Sequence, residues 1–330
     1  MSALSTNPGF RDIGHTQRGV ALVMAVLIVA IIVTATTFLA FEQQLWIRQS
    51  ENIADHALTE SVRRGALEGA LIILSEDAKD NITDDLEESW HSAPLGGEVG
   101  SGMFIGQIDD AQGRFNLNSL VKKDGQPDPK YLAVFRRLLS LNDIDPNLAD
   151  AVVDWIDADG QQRPYGAEDI SYLGQQIPYR AANQSFSSVE ELVLVQGFDA
   201  EMLNKLRDYL TALPEPTPIN INTASAMILK AMFISPPADN VIQEIIDNRR
   251  PFKDPKELLA GLPGQAPPEV DDYSVKTDYF NVNVAVKFGR LNRYSQALVH
   301  RKNDKTAEIV WQNQQVLILT NKNEEPETDA

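Results

Sequence analysis

Between Val20 and Phe41 the chain runs 22 residues without a charge. As an α-helix this run is about 33 Å long, enough to cross a hydrocarbon core of roughly 30 Å. No other feature restricts the fold so strongly, because it commits one end of the chain to lipid and the rest to folding outside it. The residues before the run, Met1 to Gly19, are polar and include Arg11 and Arg18. A secretory signal would have a shorter apolar region of about 7–15 residues and then a small-residue cleavage site. Instead the chain continues into "FEQQLWIRQSENIADHALTESVRRGALEGALIIL". Ile47, Ala54, Leu58, Val62, Ala66, Gly69 and Ile73 recur there at helical spacing. The pattern predicts one helix continuing to about Leu74, half in lipid and half outside it.

The formal net charge is −18 over 330 residues. Before residue 42 the only charges are Arg11, Asp12 and Arg18, a net of +1, so the remainder carries −19. Such a body repels nucleic acid and anionic lipid, whose attraction to proteins rests on Lys and Arg. It suits a cation or a basic partner. The absence of cysteine excludes disulfides, thiol catalysis and Cys-ligated zinc.

Two regions read as strands. "GMFIGQIDDAQGRFNLNSL" holds a strand near Met103–Asp109, after a polar, Gly-rich stretch at 76–102 that reads as a loop. "YFNVNVAVKF" alternates, with Val282, Val284, Val286 and Phe288 on one face, as a half-buried strand does. "RYSQALVHRK" and "TAEIVWQNQQVLIL" continue an antiparallel meander, and "NEEPETDA" reads as a loose tail. Between them lie about 160 residues of helical pattern with a diverged repeat. "RFNLNSL" echoes "PININTA", "LADAVVDWID" parallels "ADNVIQEIID", and "SFSSVEELVLVQGF" parallels "PFKDPKELLAGLPG". From Asp157 to Phe186 is 29 positions, against 5 from Asp247 to Phe252, so the first copy carries about 24 extra residues. Long loops inside compact domains tend to be functional or disordered.

That loop adjoins the strongest chemistry in the chain. Residues 138–162 hold six aspartates and no Lys or Arg. On a helix around 148–157, Leu148, Ala151, Val152 and Trp155 share one face, and Asp150, Asp154 and Asp157 the opposite one. A solvated polar face is one explanation. The other is hard-cation binding, since Asp159-Gly160 and Glu168-Asp169 follow and calcium takes 6–8 oxygen ligands. EF-hand spacing fails, because counting from Asp154 positions three and five are Ile156 and Ala158. The stretch "ININTASAMILKAMF…ADNVIQEIIDNRRPF" resembles a helix-hairpin-helix. Its hairpin "FISPPAD" has two prolines and no glycine, however, and proline lacks the N–H that a phosphate contact needs. The local positives are Lys230, Arg249 and Arg250. The four histidines, His15, His56, His91 and His300, form no catalytic pattern. A membrane-anchored DNA-binding protein of a competence-type system and an anchored hydrolase using the aspartates are the rival readings.

A polar leader ending in Arg18-Gly19, followed at once by an apolar helix that becomes amphipathic, resembles the N-terminus of type IV pilins and pseudopilins. The resemblance implies a prepilin peptidase cut between Gly19 and Val20 and methylation of the new terminus. It also implies a glutamate at the fifth mature position, where this chain has Met24. A subunit without that glutamate is poorly suited to being added beneath others and suits a tip. "VVDWIDADGQQRPYGAEDISYL" and "PYRAANQSFSSVEELVLVQGF" are similar to the minor pseudopilin K family of type II secretion systems. That resemblance implies bound calcium, carried onto Asp154, Asp157, Asp159, Glu168 and Asp169. It implies partners of the I and J types, no enzymatic activity and no nucleic acid. An exported substrate or the outer-membrane secretin are further partners it suggests.

The expected fold is α+β: a pilin-like long helix and small antiparallel sheet, with a large all-helical insertion of two helix-hairpin-helix or SAM-like modules. The expected divisions are a cleaved leader at 1–19, a transmembrane helix at 20–41, the rest of the helix and first strands at 42–115, and a first module with the metal loop at 116–213. A second module at 214–275, C-terminal strands at 276–318 and an acidic tail at 319–330 follow. The expected location is the inner membrane, single-pass, with a cytoplasmic N-terminus and a periplasmic body.

Overall fold

The computed structural model describes residues 16–93, 95–248, 250–260, 273–303 and 305–316. Most of the leader, the segment "GLPG" and the acidic tail lie outside the described residues. The chain divides into two compact units, residues 1–58 and 59–330.

The described part of the first unit is helix, the opening part of α1 (Thr16–Asp80). Its apolar side chains from Val20 to Phe41 are all exposed, as a lipid-facing segment requires. Thr34, Thr36 and Thr37 donate their hydroxyls to the carbonyls of Ala30, Ile32 and Val33 one turn back, so these polar groups are satisfied within the helix. Gly19 and Val20 both lie inside α1 and are exposed.

In the second unit α1 continues to Asp80, six residues past the expected end. "EDAKD" is polar but made of good helix formers, and Lys79 pairs with Glu76. A short α2 (Ser89–Ser92) follows, then β1 (Leu95–Val99) and β2 (Gly102–Asp110). β1 corrects the loop expected there. Its "LGGEV" looks unlike a strand, yet a Cβ on Gly96 would stand 2.9 Å from Phe104 O, so close pairing calls for glycine. The next elements are β3 (Phe115–Asn116), α3 (Pro129–Leu141), α4 (Ala149–Ile156), α5 (Asp169–Leu173), α6 (Ala200–Leu206) and β4 (Leu210–Thr211). Then come β5 (Ile219–Asn220), α7 (Ala226–Met232), α8 (Asp239–Asn248), α9 (Glu257–Ala260) and β6 (Tyr273–Ser274). The chain returns through β7 (Tyr279–Phe288), β8 (Leu291–Arg301) and β9 (Ala307–Val316).

The main sheet is antiparallel, in the order β1-β2-β7-β8-β9. β2 and β7 are neighbours although everything from β3 to β6 lies between them. Phe280, Val282, Val284, Val286 and Phe288 form its inner face and pack with Ala66, Leu67, Ala70 and Leu74 of α1 and with Trp90. The alternation read in "YFNVNVAVKF" is this face. A separate core runs from Phe115 through Phe135, Trp155, Phe186 and Phe233 to Val275 and holds the insertion together.

The insertion is not all-helical. Each repeat opens and closes on a two-residue parallel strand pair, β3 with β4 and β5 with β6. The repeated asparagines explain it. Asn118 Nδ2 donates to Phe186 O at 2.9 Å while its Oδ1 accepts from Phe186 N at 2.8 Å. Asn222 makes the same pair of bonds to Phe252, at 3.0 and 2.8 Å. All four residues are buried. A buried amide satisfied by one backbone N–H and one C=O is a shape-specific clasp, and it closes both copies.

Candidate metal centre

Helix α4 is buried all round. Asp150, Asp154 and Asp157 are 3%, 0% and 4% exposed, which overturns the solvated-face explanation. Asp150 is compensated by Arg136 Nη2 at 2.6 Å. Asp154 Oδ2 accepts from the backbone N of Arg163 at 3.0 Å, and Arg163 Nε stands 3.7 Å from Oδ1. At the end of α4, Asp157 leaves the helix in extended conformation. The loop turns at Asp159, whose Oδ1 accepts from Gln161 N at 2.8 Å, and comes back to Glu168 at the start of α5.

Aromatic packing fixes that return. Trp155 of α4 meets Tyr172 of α5 edge-on at 5.2 Å, and Tyr179 joins both. Tyr172 Oη accepts from Gln196 N, and Tyr179 Oη donates to Leu194 O at 2.8 Å. Gly166 passes so close to Asp154 that a Cβ there would collide with Oδ2.

Ligand-capable atoms of Asp157, Asp159 and Glu168 lie within 4.8 Å of one another. Asp154 is outside that group but buried beside it. Asp169 points elsewhere, accepting from Ala181 N and from Arg180 Nη1, both at 3.1 Å. Among the described residues six buried side-chain polar atoms lack a hydrogen bond, and three are carboxylate oxygens here: Asp154 Oδ1, Asp157 Oδ1 and Glu168 Oε1. Burial pushes Glu168 up to about 7, helped by the charges of Asp154, Asp157 and Asp159. Burial likewise raises Asp157 to about 6, with Asp159 and Asp154 adding to it. Asp154 is raised by burial to about 6 against the opposing pull of Arg163. Among the described residues, Arg163 pairs with Asp154 and Arg180 with Asp169. Unsatisfied acceptors at like-charge distance are what a cation of oxygen preference would satisfy.

A second acidic group has no signal in the sequence. Asp77, Asp84 and Glu88 also bring oxygens within 4.8 Å of one another. Here the cation is Arg301, from a strand more than 200 positions away. It donates to Asp77 Oδ2 at 3.0 Å, Asp84 Oδ1 at 2.6 Å and Thr277 O at 2.7 Å. Trp90 Nε1 donates to Glu88 Oε2 at 2.7 Å. Asp110, next to it, is fully surrounded by donors from Gln112 N, Asn220, Thr223 and Thr277.

Two of the local positives of the second repeat are engaged by the fold, while Lys253 and Lys256 are exposed. Lys230 pairs with Asp239, and Arg250 donates to Ala224 O at 2.6 Å from a half-buried position. Arg249 lies outside the described residues.

Models of the family "Type II secretion system (T2SS), protein K" match residues 113–215 and 219–277. The chain is 34% identical to type II secretion system protein K of Pseudomonas aeruginosa, over 87% of this chain and 90% of that protein. It is 28% identical to the protein of the same name from Pectobacterium carotovorum, over 88% and 94%. A solved chain from the GspK-GspI-GspJ complex of enterotoxigenic Escherichia coli superposes with a TM-score of 0.67 at 25% identity. That match covers 82% of this chain and all of the other. Fold and comparisons define the class: an α+β minor pseudopilin of type II secretion, a structural component of protein transport, with one apolar N-terminal helix as candidate anchor. Within that class the chain belongs to the type II secretion system protein K family.

Proposed function

We propose that this subunit caps the tip of a short periplasmic filament with minor pseudopilins of the I and J types, supporting export of folded proteins across the outer membrane. The observation that carries this reading is the insertion, which leaves and re-enters the sheet between the adjacent strands β2 and β7. So large an addition obstructs a further subunit, and Met24 removes the usual assembly glutamate. The solved relative, from a complex with GspI and GspJ, supports the choice of partners. In this reading the chain is cut between Gly19 and Val20. Residues 20–41 anchor it in the inner membrane, the body is periplasmic, and the modules at 116–213 and 214–275 are diverged helix-hairpin-helix or SAM-like units without catalytic work.

The test is co-purification of the full chain with I- and J-type partners, followed by locating it in the assembly. One copy at one end is expected. Many copies per filament with partners on both sides would overturn the cap. N-terminal sequencing of the membrane form should begin at a methylated Val20.

The loop is proposed to hold structural calcium through Asp157, Asp159 and Glu168, with Asp154 set behind them. When bound, the ion would neutralise the crowded carboxylates and tie the end of α4 to the start of α5. The support is the three unsatisfied buried carboxylate oxygens. Asp169, given the same role by the resemblance, is assigned instead to bracing the loop through Arg180.

A further inference from the structure

The outer face of the main sheet, opposite its packed valines, is polar where it meets the first repeat. Asn281, Leu298 and Trp311 are register partners across β7, β8 and β9, and Gln296 pairs with Asn313 one step along. The segment 187–190 and the stretch from Arg207 to Ala212 stand over them. Between lies a cleft of about 770 Å³, within the roughly 300–1,000 Å³ of small-molecule sites.

We propose that this cleft binds an oligosaccharide. Trp311 is 37% exposed, while Trp90 and Trp155, the other tryptophans of this unit, are 2% and 3% exposed. An indole left half-open at the wall of a polar cleft offers an apolar plate to the C–H face of a sugar ring, and its N–H remains for a hydroxyl. Asn281, Gln296 and Asn313 supply amides, each able to donate and accept, which is what hydroxyls and N-acetyl groups require. The charged lining balances, with Arg114 and Arg207 against Glu190 and Asp208. A phosphate or nucleic-acid ligand would need an excess of cations, and an acyl chain would need apolar walls. A neutral, hydroxyl-rich chain satisfies both conditions.

The test uses the full chain in a detergent without a sugar headgroup. Three probes are titrated: an N-acetylglucosamine tetramer of cell-wall type, a lipopolysaccharide core oligosaccharide and an uncharged tetrapeptide. Binding is read by calorimetry and by tryptophan fluorescence. Saturable uptake of either sugar is expected, and which of the two binds identifies the source. Trp311→Ala should weaken it about tenfold. Asn313→Ala, on the exposed edge strand, should weaken it several-fold while leaving the melting temperature unchanged. No saturation with either sugar, equal binding by both variants, or preference for the tetrapeptide would each overturn the proposal.

Discussion

Two groups of three carboxylates lie in this protein, each with oxygens within 4.8 Å of one another, and they solve the same electrostatic problem differently. Around Asp77, Asp84 and Glu88 the chain supplies its own cation, Arg301, which also lies over the Phe280 ring at 4.8 Å. Around Asp157, Asp159 and Glu168 no cation stands at bonding distance among the described residues, and Asp157 Oδ1 and Glu168 Oε1 are buried without donors there. Proximity of carboxylates therefore does not mark a metal centre. What separates the two groups is whether every lone pair has an internal partner. The first ties α1 and Asp84 to β8 and to Thr277, and the second is where calcium is proposed.

The largest effect should come from removing the built-in cation. Arg301→Met strands Asp77 and Asp84 in a buried site, and breaking such a pair costs about 3–5 kcal/mol. Urea unfolding of the full chain should show it, with only partial recovery in Arg301→Lys, which cannot reach three acceptors at once. If calcium restored the stability of Arg301→Met, the first group would be a latent metal site and the contrast would collapse.

Next in size is calcium at the loop. At a concentration 100 times its dissociation constant, calcium should stabilise the wild-type chain by about 2.7 kcal/mol. Glu168→Gln and Asp157→Asn should each lose most of that, and Arg301→Lys none of it. Identical melting in calcium and in chelator would remove the metal assignment.

How much of this could be read from the sequence follows from how local each interaction is. The apolar run and the alternation of "YFNVNVAVKF" are local patterns, and they reappear as an exposed apolar helix and an inner sheet face, whereas the Asn118–Phe186 and Asn222–Phe252 clasps join residues 68 and 30 positions apart and left only a repeat in the sequence. The loop was legible because its acids fall within 15 positions, and a 24-residue excess over the second repeat marked it. Asp169 stands apart from the group of Asp157, Asp159 and Glu168 because it accepts from Ala181 N and Arg180, a pairing that its neighbours in sequence do not announce. The Arg301 knot was invisible, since its members lie at 77, 84, 88 and 301 and no spacing links them. β1 was hidden by its two glycines, of which Gly96 is required by close pairing. The short strand pairs of the insertion are two residues long, below any period.

Acid separates the two groups further. Burial holds Glu168 near 7 and Asp154 and Asp157 near 6, above their ordinary values. A carboxyl raised on folding binds its proton more tightly in the folded state, so its stabilising contribution is present at low pH and lost as pH rises through about 6–7. In chelator, acidification from pH 7.5 to 5 should therefore stabilise the chain. Asp84 near 6 and Glu88 near 7 add the same sign whatever the calcium. With calcium present, protons compete for the loop, so the calcium-dependent increment should shrink over that window. An increment independent of pH would mean the ion is not held by these carboxyls.

The smallest effect tests the reassignment of Asp169. Its partner Arg180 is largely exposed, so this ion pair is worth only about 0.2–1 kcal/mol. Asp169→Asn keeps an oxygen for Ala181 N and loses mainly the charge on Arg180. It should lower stability by that amount equally with and without calcium, leaving calcium affinity within a few-fold of wild type. Glu168→Gln, one residue away, should do the reverse, with little change in chelator and a large loss of affinity. Adjacent acids with opposite signatures would show that the cradle is defined by unsatisfied oxygens rather than by the run of acids in the sequence. A joint loss of affinity in Asp169→Asn would return it to the ligand set.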